Sequence, residues 1–212
     1  LIGYCRAICC DEAFGGRSAR ALYRNSMLYC VPLVNPDGAD LVAGAIPEAS
    51  PEYVQAAAIA AGFPQIPFPD GWKANLRGVD LNLNYPASWD LAKQIKAGLG
   101  FDRAAPRDFP GNQPLDQRET AALAAYTACI RPDILLAYHT QGRVIYPGGR
   151  DLDPPGAKNL AEKFSEASGY AVEEVPQEAS NAGFKDWFLR RFHRLGFTIE
   201  AGLGENPLPL SQ

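Results

Sequence analysis

The chain has 212 residues, 47% hydrophobic and 21% charged, enough for one globular domain with a substantial core. Its net charge of -4 offers no broad basic face for phosphates, which argues against a nucleic-acid partner. No apolar run approaches the roughly 20 residues of a membrane span.

In chain order, LIGYCRAICC lacks the basic start and long apolar stretch of a signal peptide and reads as the tail of an amphipathic helix. Residues 26–34, SMLYCVPLV, are a continuous apolar run ended by NPDG, which predicts a buried strand and a turn. SPEYVQAAAIAAG predicts a short helix, with Ser50 as cap, Pro51 in the first position and Gly62 as stop. FPQIPFPDGWKAN is Pro-rich loop, and GVDLNLNYP alternates apolar and polar residues as a short strand or extended segment does. Residues 98–114 predict a long Gly- and Pro-rich loop, of a length that in compact domains is functional or mobile. Asp116 and Glu119 stand at capping-box spacing and open an Ala-rich helix that Pro132 closes.

DILLAYH then predicts a buried strand and RVIYP a second short one. PPGAKNLAEKFSEASG predicts a helix stopped by Gly169, followed by strand-like YAVEEVP. AGFKDWFLRRFHRLG spaces its aromatics as a helix does, with Gly196 as stop, and FTIEAG predicts a last buried strand. Strands alternating with helices imply an α/β fold, a mixed, mostly parallel sheet sandwiched between helices. Five cysteines, an odd number without CxxC spacing, predict free thiols rather than a disulfide framework or structural zinc site. They lean towards a reducing setting and leave the compartment open.

In open α/β sheets the functional crevice lies beyond the carboxyl ends of the strands. Three predicted segments put polar residues there: Asn82 with Asn84, His139, and Glu200. A carboxylate closing a buried strand is costly to ionise without a partner. Its pKa then rises towards neutrality, which suits a general base. His193, the other histidine, lies near a predicted helix end among arginines, where a cation is favoured structurally.

Six segments in this order, YCVPLVNPDGADLV, WKANLRGVDLNLNYP, APRDFPGNQPLDQRET, LLAYHTQGRVIYP, NAGFKDWF and FTIEAGLGENPLP, resemble the zinc carboxypeptidase (carboxypeptidase A-like) family. HTQG in particular resembles its bacterial branch of γ-D-glutamyl-L-diamino acid peptidases, which cut cell-wall peptides. The resemblance implies Zn²⁺ as cofactor, with His139 a ligand and Glu200 the general base. It further implies that Asp80 orients a histidine ligand, that Asn82 and Lys73 bind substrate at its carboxylate and carbonyl, and that Gln141 lies on the substrate side. Lys185 stands where the family sets side-chain preference, and a cation there suits an acidic group such as the side-chain carboxylate of diaminopimelate. A muropeptide is then the expected partner.

The sequence also departs from the family. The HxxE pair of zinc ligands expected upstream of NPDG is absent, and a catalytic zinc takes three protein ligands. Both ends read as cut, so one incomplete peptidase domain over residues 1–212, inactive by itself, is the expectation. Cys5 and Cys9, at i, i+4, share a helix face but lie in the wrong place to substitute. After Asn82 comes Leu83 where digestive carboxypeptidases carry an arginine clamp, which disfavours a plain C-terminal carboxypeptidase. Glu178, Ser180 or Asn181 fall where the family has a mobile tyrosine, so that hydrogen bond lacks a clear donor. An ordinary metallocarboxypeptidase and a catalytically dead peptide-binding module are the rival readings.

Overall fold

The computed structural model describes residues 13, 14, 16–149, 152–176, 181–206 and 208. What the sequence predicts for LIGYCRAICC, with Cys5, Cys9 and Cys10, and for Glu178 and Ser180 lies outside them. Packing gathers the chain into two compact units, residues 1–36 and 37–212.

In the first unit β1 (Ala13–Phe14) pairs antiparallel with β2 (Arg17–Ser18), and α1 (Ala19–Asn25) follows. Residues 26–34 are not the expected buried strand: they form no strand, and Met27 is 74% exposed. An apolar run becomes a strand only where a neighbour supplies the ladder that satisfies its N–H and C=O groups. Among the described residues no strand pairs with this one. NPDG likewise starts a helix, α2 (Pro36–Val42), rather than a turn, with proline in the first position, where its missing N–H is harmless.

In the second unit α3 (Pro51–Ala60) follows its predicted signals: Ser50 Oγ accepts from the Tyr53 N–H at 3.2 Å, and Pro51 opens the helix. Ala56 and Ala60 pack with Leu41, Trp72 and Ala74. GVDLNLNYP is not a strand. Asp80 accepts the Asn82 N–H at 3.2 Å and starts a 3-10 turn over Leu81–Leu83. This local bond competes with a ladder and wins. Helix α4 (Trp89–Gly98) covers a stretch whose sequence carries no expectation above. The long loop then runs as predicted to α5 (Arg118–Ile130). Asp116 does not cap α5: Gln117 holds the N-cap position without a side-chain capping bond, and Asp116 instead accepts from the N–H groups of Asn112 (2.9 Å) and Gln113 (3.3 Å).

The sheet holds β3 (Ile134–His139), β4 (Val144–Pro147), β5 (Ala171–Val172) and β6 (Leu195–Glu200) in the order β3-β6-β4-β5. β3–β6 and β4–β5 are parallel and β4–β6 is antiparallel, the mixed, mostly parallel arrangement expected. Helix α6 (Ala157–Ser168) ends at Gly169 and packs Ala161, Leu160 and Phe164 on Ile145, Phe197 and Ile199. Helix α7 (Phe184–Phe192) takes the other face: Phe188 and Phe192 cluster with Leu135, and a Cβ added at Gly196 would sit 3.2 Å from Leu189. Since side chains alternate along a strand, the odd positions of β6 face α6 and the even ones, including Glu200, face α7.

Two expectations need correction. β3 is not buried. It is the sheet's edge among the described residues, and Leu136 is 41% and Tyr138 55% exposed. Gly196 does not stop α7: His193, exposed and left-handed at φ 54°, is the C-cap, and Gly196 already lies within β6. Among the described residues no helix is long and apolar enough to cross a membrane.

Candidate active site

β3 and β6 run parallel and end together, and their register sets His139 directly beside Glu200. Leu135 faces α7, so His139, four residues on, does too, on the same face as Glu200. The ladder continues one bond further, Ala201 N–H donating to His139 O at 2.8 Å. Gly142 N–H then donates to Gly202 O at 2.9 Å, tying the two strand exits together. Gly202 N–H donates to the Tyr170 hydroxyl at 3.2 Å. Gly142 itself, at φ +151°, passes close to Glu200, where an added Cβ would lie 3.6 Å from the Glu200 Cβ. The peptide bond between Thr140 and Gln141 is cis.

Two lysines face this pair. Lys185, in the first turn of α7, is 5% exposed, and its Nζ has no hydrogen-bond partner among the described residues. Its stem crosses β6 at Gly196, where an added Cβ would stand 3.3 Å from Lys185 Cγ and crowd the stem. Burial lowers the Lys185 pKa to about 8, against the opposing pull of Asp186 and Glu200. Lys73 approaches from the loop before the 3-10 turn. Burial, then Lys73 and Lys185, lower the His139 pKa to about 4, so the imidazole is neutral near pH 7 and has a lone pair to offer. Burial raises the Glu200 pKa while the same two lysines oppose it, which is the direction a general base needs.

Asp80 sits at the base of the cluster. Its Oδ1 accepts from the Asn82 N–H at 3.2 Å and its Oδ2 from the Asp108 N–H at 3.1 Å. Burial raises its pKa and the Asp108 charge adds to that, while Lys73 and the two N–H groups pull the other way. Asn82 has a second task that the sequence did not disclose: its Oδ1 accepts the Phe184 N–H at 3.0 Å, capping α7 from 102 residues away. That leaves its Nδ2, which makes no hydrogen bond among the described residues, as a donor. Gln141 is exposed beyond the end of β3, and no described contact joins its side chain to the others.

Asn84, expected with Asn82 at the crevice, is instead a buried support. Asn84 is fully buried and its Nδ2 donates to Pro110 O (2.8 Å), Gln113 O (3.0 Å) and Asp116 Oδ1 (2.8 Å), while its Oδ1 accepts from Thr120 Oγ1 at 2.7 Å. Its one signal was a second asparagine two residues after Asn82. Among the described residues, no three of the His, Cys, Asp and Glu side chains converge as a metal site. One imidazole falls short of the three ligands of a catalytic zinc. The described residues therefore do not by themselves make a metal centre.

The shared end of β3 and β6 thus holds a neutral imidazole and a half-buried carboxylate within reach of two lysines, an arrangement suited to acid–base chemistry. The zinc carboxypeptidase family model matches residues 10–212, and the chain belongs to that family. It is 41% identical to "Gamma-D-glutamyl-L-diamino acid endopeptidase 1" of Lysinibacillus sphaericus, over all of this chain and 51% of that protein. It is 38% identical to "Uncharacterized protein YqgT" of Bacillus subtilis (strain 168), over 99% of this chain and 54% of that protein. The chain thus spans about half the length of these curated relatives. The carboxypeptidase A of Helicoverpa armigera shares the fold at a TM-score of 0.51 and 18% identity, over 84% of this chain and 43% of that one.

Proposed function

We propose that the full-length protein is a zinc-dependent peptidase that hydrolyses γ-D-glutamyl–diaminopimelate bonds of cell-wall peptides, and that residues 1–212 are an incomplete peptidase domain within it. The observation that carries this reading is the register of β3 and β6, which sets His139 and Glu200 side by side at one crevice. The 41% identity to a protein named for this bond supports the substrate.

Glu200 is the general base. Burial lifts its proton affinity, so it takes a proton from the attacking water and passes it to the leaving amine. His139 is one zinc ligand, and Asp80 orients another imidazole, a fixed imidazole being the stronger ligand. The remaining ligands come from outside the described residues. Asn82 Nδ2 donates to a substrate carboxylate and Lys73 to the scissile carbonyl, with Gln141 at the rim. Lys185 binds the acidic side chain: a buried ammonium with no hydrogen-bond partner among the described residues is completed by a carboxylate, the limb that distinguishes diaminopimelate from lysine. Leu83 cannot supply the bidentate clamp that a plain carboxypeptidase uses.

The test is Glu200→Gln in the full-length protein. Muropeptide cleavage is expected to fall by a factor on the order of 10³ or more, with the fold and zinc content retained. Turnover near the wild-type rate would end the assignment of Glu200. Faster cleavage of a peptide with a free C-terminal residue than of a γ-D-Glu-linked muropeptide would return the reading to an ordinary carboxypeptidase.

A further inference from the structure

Helix α4 carries Trp89, Lys93 and Lys96 at i, i+4 and i+7, one stripe along its surface. All three end on the same loop. Trp89 Nε1 donates to Pro110 O at 3.0 Å, Lys93 Nζ to Asn112 O at 3.2 Å, and Lys96 Nζ to Asp108 Oδ1 at 2.5 Å. Only the last is an ion pair, and it is a sheltered one: the two side chains are 14% and 18% exposed. Arg107 Nε takes the other oxygen, Asp108 Oδ2, at 2.8 Å. Asp108 has a left-handed backbone at φ 67°, a conformation uncommon outside glycine though less so for aspartate. In that conformation its N–H donates to Asp80 Oδ2, while the next residue's carbonyl, Phe109 O, accepts the Asp80 N–H at 2.8 Å.

Asp80 is therefore gripped on its side chain by Asp108, which Lys96 anchors, and on its backbone by the next residue, Phe109. We propose that Lys96 is a positioning residue of the site: by pinning Asp108 it fixes the direction in which the Asp80 carboxylate points. The inference rests on the reading of Asp80 as an orienting carboxylate. Lys96 does two things at once. It holds the Asp108 backbone in the conformation that aims its N–H, and it offsets the Asp108 charge, which otherwise bears on the Asp80 carboxylate. Arg107 alone does not replace it, because its side chain is 38% exposed and its pull is screened.

The experiment uses the full-length protein and a muropeptide substrate. Lys96→Met is expected to lower kcat about tenfold, the scale of an outer positioning contact, with KM within about twofold. Lys96→Arg, which keeps the ion pair, should recover most of the rate. Lys93→Met, which loses a contact from the same stripe but none to Asp108, should stay near wild type. In an Asp108→Asn background Lys96→Met should cost little more, the signature of one pathway. Should Lys96→Met not fold, Lys96→Gln carries the same expectation. Wild-type kcat in a folded Lys96→Met, or an equal loss in Lys93→Met, overturns the proposal. Asp80→Asn run alongside separates the two readings. A wild-type rate there removes the premise, whereas a slow Asp80→Asn beside a normal Lys96→Met removes the role of Lys96 alone.

Discussion

Lys185 is the residue whose position costs the fold most visibly. Burial brings its pKa from 10.5 to about 8. At 1.36 kcal/mol per unit this is a penalty on the order of 3 kcal/mol on the folded, charged form. The unfolded chain holds that proton more tightly, so between pH 8 and 10.5 it carries more protons than the folded chain, and stability rises with pH. Below pH 8 the penalty is complete. Lys185→Met is therefore expected to be more stable than wild type at pH 7, by about 1–3 kcal/mol in urea denaturation. The difference should shrink as pH passes from 8 to 10.5. The same variant should lose its preference for diaminopimelate over lysine in the substrate. A variant less stable than wild type at pH 7, with the preference intact, would show Lys185 to be an ordinary packing residue. The family resemblance, not any local pattern, singled out this position, just before Asp186-Trp187, and the burial of its ammonium had no signal in the sequence. The capping of α7 by Asn82 was not, since a bond across 102 residues leaves no local pattern.

Among the elements, several with local signals came through, although NPDG, Asp116 and Gly196, equally local, did not act as turn, cap and stop. Ser50 and Pro51 start α3, Gly169 ends α6, and β6 is buried as its run of apolar residues predicts. Those that depend on a neighbour did not. The run at 26–34 joins neither described sheet, and GVDLN closes into a turn because Asp80 reaches its own chain first. Asp116 spends its oxygens on the loop before α5 rather than on a cap, a choice made by Asn84 and the N–H groups of Asn112 and Gln113. Asn84 is thus the fastening between the 3-10 turn and the loop that carries Asp108. Asn84→Ala strands Thr120 Oγ1 and Asp116 Oδ1 of one partner each and leaves a void. It is expected to cost about 3 kcal/mol in denaturation and to open residues 106–116 to proteolysis. A cost under about 0.5 kcal/mol would mean that α4 and Asp80 hold the loop without Asn84.

For the whole molecule, the net charge of -4 hides a local reversal: Lys73 and Lys185 are the charges that bear on both His139 and Glu200. An acidic protein thereby keeps a locally cationic neighbourhood, set by those two side chains rather than by the overall field. The same neighbourhood disfavours a metal cation unless ligands of opposite charge arrive with it. A single neutral imidazole between two ammonium groups is a poor zinc site, and it becomes a good one only when a carboxylate and a second imidazole join it. Zinc should therefore remain bound to the full-length protein through desalting, one ion per chain, and be lost on His139→Ala together with the thermal stabilisation that bound metal confers. The 212-residue chain, prepared alone and treated identically, should emerge without metal. Stoichiometric zinc on that shorter chain would mean that residues 1–212 hold a complete centre of their own, and the reading of His139 as one leg of a larger ligand set would fall.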